Sequence, residues 1–137
     1  MQFDGRSSKI MIAESDRTIL EMLQIRLDVA GYHPIGVRNG AAALELLQHT
    51  RPDAMIVELN LPDVDGYEVL KAMSAYSNRV PPPALIMGRG LSMDAIKRAI
   101  SLGARDCLAK PFSGADALDR VSRLLKMKPQ AVKTVLV

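Results

Sequence analysis

Residues 52–70 read PDAMIVELNLPDVDGYEVL: an apolar run of strand length stops at one acid, Glu58, then crosses a Pro, Asp and Gly loop into a segment of helical period. Unbroken apolar succession, rather than alternation with polar residues, describes a strand covered on both faces, as in parallel sheets with helices above and below. Open sheets of that kind place their ligand sites beyond the C-terminal ends of the strands. Fold and function therefore both turn on Glu58 and on what the rest of the chain brings to it.

The same pattern recurs along the chain. KIMIA (9–13), HPIGV (33–37), ALIMG (84–88) and DCLAK (106–110) are further strand-length apolar runs. Between them lie segments of period near 3.6, such as Ile19, Leu20, Leu23 and Leu27, then Ala43, Leu44 and Leu47. End signals bound the helices: Ser15 or Asp16 opens the first and Gly31 closes it, Asn39 opens the second before the Arg51-Pro52 stop, and Ser92 and Gly103 bracket the fourth. A third helix is expected within 64–77 and a fifth within 114–126. Five strand–helix repeats with short connections require right-handed crossovers, hence a three-layer α/β domain with a five-stranded parallel sheet. We expect one domain over 9–128, with tails at 1–8 and 129–137.

Composition narrows the class. Just under half of the 137 residues are apolar and about a quarter charged, and no apolar run approaches the roughly 20 residues that cross a bilayer. MQFDGRSSK at the start lacks the apolar core of a secretory signal, and the single cysteine, Cys107, forms no internal disulfide alone. A cytoplasmic protein is expected, with no membrane contact. The net charge of +3 conceals an asymmetry: residues 1–88 carry eight Lys/Arg against eleven Asp/Glu, and 89–128 carry nine against four. His33 and His49 lack partners at metal-ligand spacing, and the GRG of 88–90 lacks the lysine of a nucleotide loop.

Acids at the ends of the first and third runs, Glu14, Asp16 and Glu58, converge in such a sheet with Lys110 at the end of the fifth. The order and spacing of PDAMIVELNLPDVDGYEVL and GARDCLAKPF resemble a bacterial two-component response regulator receiver domain over about residues 9–128. The resemblance implies a flavodoxin-like (CheY-like) sheet of order 2-1-3-4-5 with five helices. It also implies a phosphoryl group taken from a histidine kinase by an aspartate beside Mg²⁺, and an output face made by the fourth helix, fifth strand and fifth helix. Carried over by position, the phosphoacceptor falls on Glu58, the two acids after the first strand on Glu14 and Ser15, the hydroxyl that grips the phosphoryl group on Gly88, and the aromatic switch on Cys107. Lys110, the following Pro111 with its cis bond, and the backbone carbonyl of Asn60 match the family pattern.

Each departure has a physical meaning. Glu58 sets its charge one methylene, about 1.5 Å, farther out, and in-line transfer depends on positioning. Ser15 is a neutral, weak ligand for a hard cation. Gly88 offers no side-chain donor. The expectation is a pseudo-receiver: no enzyme, no catalytic residue, and at most weak Mg²⁺ binding at Glu14, Asp16 and Asn60. It would act as a phosphorylation-independent interaction module, with Glu58 within reach of Lys110. Its protein partner, or a second copy in a homodimer, would meet the basic residues Lys97, Arg98, Arg105, Arg120 and Arg123, with no direct nucleic-acid contact. The alternatives are phosphorylation on Glu58 or a neighbouring acid, and a small-ligand sensor using the altered pocket. Cys107 reads as a packing residue.

Overall fold

Strands apolar on both faces need helices on both faces, and the chain supplies them in strict alternation. The computed structural model describes residues 8–75 and 80–127. In chain order these form β1 (Lys9–Ala13), α1 (Arg17–Val29), β2 (His33–Val37), α2 (Gly40–Leu47), β3 (Ala54–Glu58), α3 (Gly66–Ala75), β4 (Ala84–Arg89), α4 (Met93–Ser101), β5 (Ala104–Lys110) and α5 (Gly114–Lys126). All strand pairs are parallel and the sheet order is β2-β1-β3-β4-β5, as expected.

The period-2 geometry of the strands divides the core into two layers. Ile10, Ile12, Ile56, Leu85 and Met87 pack on one face against Leu20, Leu23 and Leu27 of α1 and Val121 and Leu124 of α5. Met11, Ala13, Met55, Val57 and Ile86 pack on the other against Ala43 of α2, Val69, Leu70 and Met73 of α3, and Ala99 of α4. Helix starts are capped by side chains: Asp16, Asn39, Ser92 and Ser113 each accept a hydrogen bond from the amide three residues on. Among the described residues no helix is long and apolar enough to cross a membrane.

Three sequence expectations shift. β2 is half exposed along its length, because it forms an edge of the sheet. β5 starts two residues before the DCLAK run, at Ala104, with a register irregularity opposite Ala84 and Leu85. α2 ends at Leu47, ahead of the Arg51-Pro52 stop, and its last turn relaxes until the Thr50 amide donates to Leu46 O at 2.9 Å. The expected terminal tails lie almost wholly outside the described residues.

One close approach sets the frame for the strand ends. The Gly66 amide donates to Leu59 O at 2.9 Å, and a Cβ on Gly66 would lie 2.5 Å from Glu58 O and 2.7 Å from Leu59 Cα. Both obstacles are backbone, so the first turn of α3 abuts the segment that carries Glu58. Gly66→Ala should therefore lower the urea-unfolding free energy by about 1–3 kcal/mol, the range for overpacking. An unchanged midpoint would mean that α3 can slide off β3 freely.

Candidate functional site

Glu14, Glu58 and Lys110 come from strand ends spread across β1, β3 and β5. Neighbouring strands lie about 4.8 Å apart, so β3 and β5, with β4 between them, are separated by roughly 10 Å, and only long side chains meet over that span. They do meet. Lys110 Nζ donates to Glu58 Oε2 at 3.0 Å and to Glu14 Oε2 at 2.9 Å. The ammonium is also 2.9 Å from Glu14 Oε1, an ion-pair contact, and that oxygen has no hydrogen bond among the described residues. Glu58 is 8% exposed and Glu14 fully buried, so the acid that ends the apolar run does not face water.

The second oxygen of Glu58 is also engaged. Oε1 accepts from the Ser15 amide at 2.9 Å and from the Ser15 hydroxyl at 2.7 Å. Ser15 itself is held from outside, its carbonyl accepting from Arg38 Nη2 at 3.1 Å and Nε at 3.3 Å. The Asp16 amide donates to Glu14 Oε2 at 2.9 Å, while the Asp16 carboxylate caps α1 through Ile19 N.

Donor count separates the two carboxyls. Burial raises the pKa of Glu14 and the Glu58 charge adds to the rise, outweighing the Asp16 amide and Lys110. Burial also acts to raise Glu58, but the Ser15 hydroxyl and amide together with Lys110 outweigh it and hold that carboxyl below its ordinary value. When a proton enters the pair, Glu14 takes it first. Among the described residues no group of three His, Cys, Asp or Glu is placed to hold a metal ion.

The remaining residues fall around this cluster. The position of a Cβ on Gly88 lies 2.8 Å from Leu91 Cδ2, so an apolar side chain occupies the space beside it. Asn60 is exposed after β3. Cys107 is half-buried against the core, and burial, with the Asp106 charge beside it, pushes its thiol pKa up, as suits a packing residue. The Lys110–Pro111 bond is cis.

These landmarks decide the family. The profile of the response regulator receiver domain matches residues 10–122. The chain is a response regulator receiver domain. It is 32% identical over 122 residues, 89% of its length, to the transcriptional regulatory protein PrrA of Mycobacterium leprae. It is 30% identical over 86% of its length to the response regulator MprA of a Mycobacterium species. The match covers 52% and 50% of those relatives, so the chain spans about half the length of the curated proteins it resembles. Among solved structures, the chemotaxis response regulator CheY4 of Vibrio cholerae superposes with a TM-score of 0.82 at 27% identity, covering 87% of this chain and 99% of that one. The receiver domain of a signal transduction histidine kinase from Syntrophus aciditrophicus gives 0.78 at 28% identity, over 89% and 96%. The receiver therefore belongs to two-component signalling.

The basic face of this receiver is less uniform than its sequence suggests. Arg98 stacks over the ring of Tyr67 on α3, 3.8 Å from the centroid, and so turns away from α5. Arg120 donates to Asp106 Oδ1 at 2.7 Å and to Cys107 O at 2.9 Å, tying α5 to β5. Arg123 pairs with Asp119, and Arg105 Nη1 reaches Met127 Sδ at 3.6 Å near the opposite end of β5. Sequence reasoning missed Arg38 and Leu91. The apolar Leu91 in the short connection before the Ser92 cap was the one available signal for the second.

Removing the lysine leaves two buried carboxylates without their cation. Lys110→Met should cost about 3–5 kcal/mol at neutral pH, the range for breaking a buried pair, and less at a mildly acid pH, because burial and the Glu58 charge make Glu14 the readier of the two acids to take up a proton. Urea titrations at the two pH values measure both. The wild-type profile carries opposite signs from the two acids. Glu58 contributes stability present above the unfolded value of about 4.3 and lost as pH falls through its lower folded value. Glu14, held up, is costly when ionised, and that cost disappears as pH falls from neutral through its raised value. Glu14→Gln should therefore flatten the gain on the acid side of neutrality and leave the loss at lower pH in place.

Proposed function

We propose that this receiver is a phosphorylation-independent protein-interaction module of a two-component system, acting through the face of α4, β5 and α5. The reading rests on one observation: both oxygens of Glu58 are already committed, Oε1 to two donors from Ser15 and Oε2 to Lys110. A phosphoacceptor must present an oxygen in line with the donor, with metal beside it, and these three contacts hold the Glu58 carboxylate turned toward Ser15 and Lys110 instead. Here the ammonium sits between the two acids.

The donor set also fits magnesium poorly. Mg²⁺ demands near-octahedral oxygen coordination. The Ser15 hydroxyl is spent on Glu58, one oxygen of Asp16 on the start of α1, and both glutamates on Lys110, whose ammonium occupies the space between them. The clasp position, Gly88, has Leu91 in its space.

On the proposed output face, Met93, Lys97 and Ile100 share one side of α4 by their i, i+4, i+7 spacing. Met93 and Ile100 are 65% and 53% exposed. That patch, an apolar strip beside a cation, suits a partner with an apolar ridge edged by acidic residues. Incubation with acetyl phosphate and Mg²⁺ followed by intact mass measurement should show no gain; an increase by one phosphoryl group overturns the reading. Pull-downs should return the same partners for wild type and Glu58→Ala and lose them for Lys97→Glu combined with Ile100→Asp. Loss with Glu58→Ala alone would place the output under control of the carboxylate.

A further inference from the structure

Helices α2, α3 and α4 cover one face of the sheet, with α3 packed between the other two, and the layer is unevenly charged. Between α2 and α3 runs an open groove of about 460 Å³, lined in part by the half-buried Leu44, Val64 and Ala72. Asp63, Asp65 and Glu68 also line it, against a single ammonium, Lys71, which lies 3.6 Å from Glu68. Asp63 and Asp65 each give an oxygen to a helix-start amide, those of Ala41 and Glu68, yet all three acids are exposed and the groove keeps an excess of two negative charges. The outer side of α4 is the reverse. Lys97 is exposed there between Met93 and Ile100 and takes part in no ion pair among the described residues. Asp94 and Arg98, four residues apart, offset one another on the flank toward Tyr67 of α3. We infer that the groove takes the α4 strip of a second copy of this chain, and that each protomer does so for the other, closing a two-fold dimer. The inference takes from the proposed function only the α4 strip as a contact surface, and names what it meets.

Geometry is the first argument. Packed helices lie about 10 Å apart, so α4 stands roughly 15 Å from the middle of the groove, on the same side of the sheet. A two-fold axis parallel to the helices and beside α3 exchanges the two surfaces. The α4 of one copy then enters the groove of the other while its own groove receives the partner's α4, so every contact is made twice. The half-step offset also sets ridges into grooves across the rest of the layer. Charge is the second argument. Lys97 of each copy meets the acidic groove of the other, whereas a dimer that laid α4 on α4 would bring Lys97 against Lys97. Apolar cover is the third. Met93 and Ile100, 65% and 53% exposed, leave water against Leu44, Val64 and Ala72. The area limits the strength. Helices of 8, 10 and 9 residues are about 12–15 Å long, and a face only three such helices wide belongs with weak, reversible associations. The dimer therefore forms and dissolves with the amount of protein.

Sedimentation equilibrium of the full 137-residue chain, at low ionic strength and with no phosphoryl donor, tests it. A monomer–dimer equilibrium should appear between about 10 μM and 1 mM and weaken as salt is added. Lys97→Glu and Glu68→Lys should each weaken it at least about tenfold, because one reversed charge acts at both symmetry-related contacts. Mixed in equal amounts, the two variants should recover the dimer: the acidic α4 of one meets the basic groove of the other, and the unaltered contact completes the pair. Recovery on mixing also shows that both variants fold. A chain that stays monomeric up to about 1 mM, a very weak affinity, would overturn the inference. So would a dimer indifferent to Glu68→Lys, or a mixture that remains monomeric. A phosphoryl gain with acetyl phosphate removes the phosphorylation-independent reading and leaves a dimer measured without donor in place, whereas a monomeric chain that takes no phosphate removes the dimer alone.

Discussion

A single ammonium between two buried carboxylates holds the working end of this domain together. Lys110 ties β5 to β3 through Glu58 and to β1 through Glu14, so the ends of strands that are not neighbours move as one body. Two acids against one base leave a net negative pocket, and burial makes that imbalance expensive. It is relieved unevenly: the Ser15 amide and hydroxyl stabilise the charge on Glu58, and Glu14 is left as the carboxyl that yields to a proton. A pair of this kind adds little net stability over an apolar pair of the same volume, but it specifies one arrangement, since breaking it strands a charge.

The unusual residues of the site depend on one another. Glu58 reaches both Ser15 and Lys110 because it is a methylene longer than aspartate; a shorter acid at the end of β3 would have to give up one of those contacts. An acid in place of Ser15 would set a second negative charge where a hydroxyl now donates to Glu58 Oε1 at 2.7 Å. Threonine in place of Gly88 would bring its Cβ to 2.8 Å from Leu91 Cδ2, so the Leu91 side chain would have to turn aside. Each position suits its present neighbours, and the family's usual residue there would oblige those neighbours to rearrange. Single reversions are therefore non-additive, as expected of groups in direct contact.

The layout of the fold was legible because each layer wrote its own period into the sequence. Buried β1, β3 and β4 read as continuous apolar runs, and Asn39 and Ser92 marked helix starts with side chains that do cap them, as Asp16 does of the two candidates before α1. The exposure of β2 and the start of β5 were less clear because an edge strand needs cover on fewer sides, so Arg105 could enter a strand that the hydrophobic pattern begins one residue later. At the site, residue type and position gave Glu14, Glu58 and Lys110 and their convergence. The hydrogen-bond directions that split the two glutamates were beyond sequence, because they depend on where the Ser15 amide points. Arg38 and Leu91 act through loops whose course no periodicity encodes. The sequence assigned the basic residues to elements but not their directions: Tyr67 and Asp106, on other elements, capture Arg98 and Arg120.

A receiver that answers to phosphate needs two conformations of nearly equal free energy, and a partner that reads one of them loses affinity in proportion to how seldom it is populated. The features that would carry such an exchange here are weak. Gly88 and Cys107 provide no hydroxyl and no aromatic ring to travel between pocket and surface. Arg120 fastens α5 to the Cys107 carbonyl and to Asp106, bracing the output face from behind. In the proposed role, the α4–β5–α5 surface is permanently available, and its partner binds without first waiting for a minor state. Control must then enter elsewhere, through the amount of protein or through competition for the face.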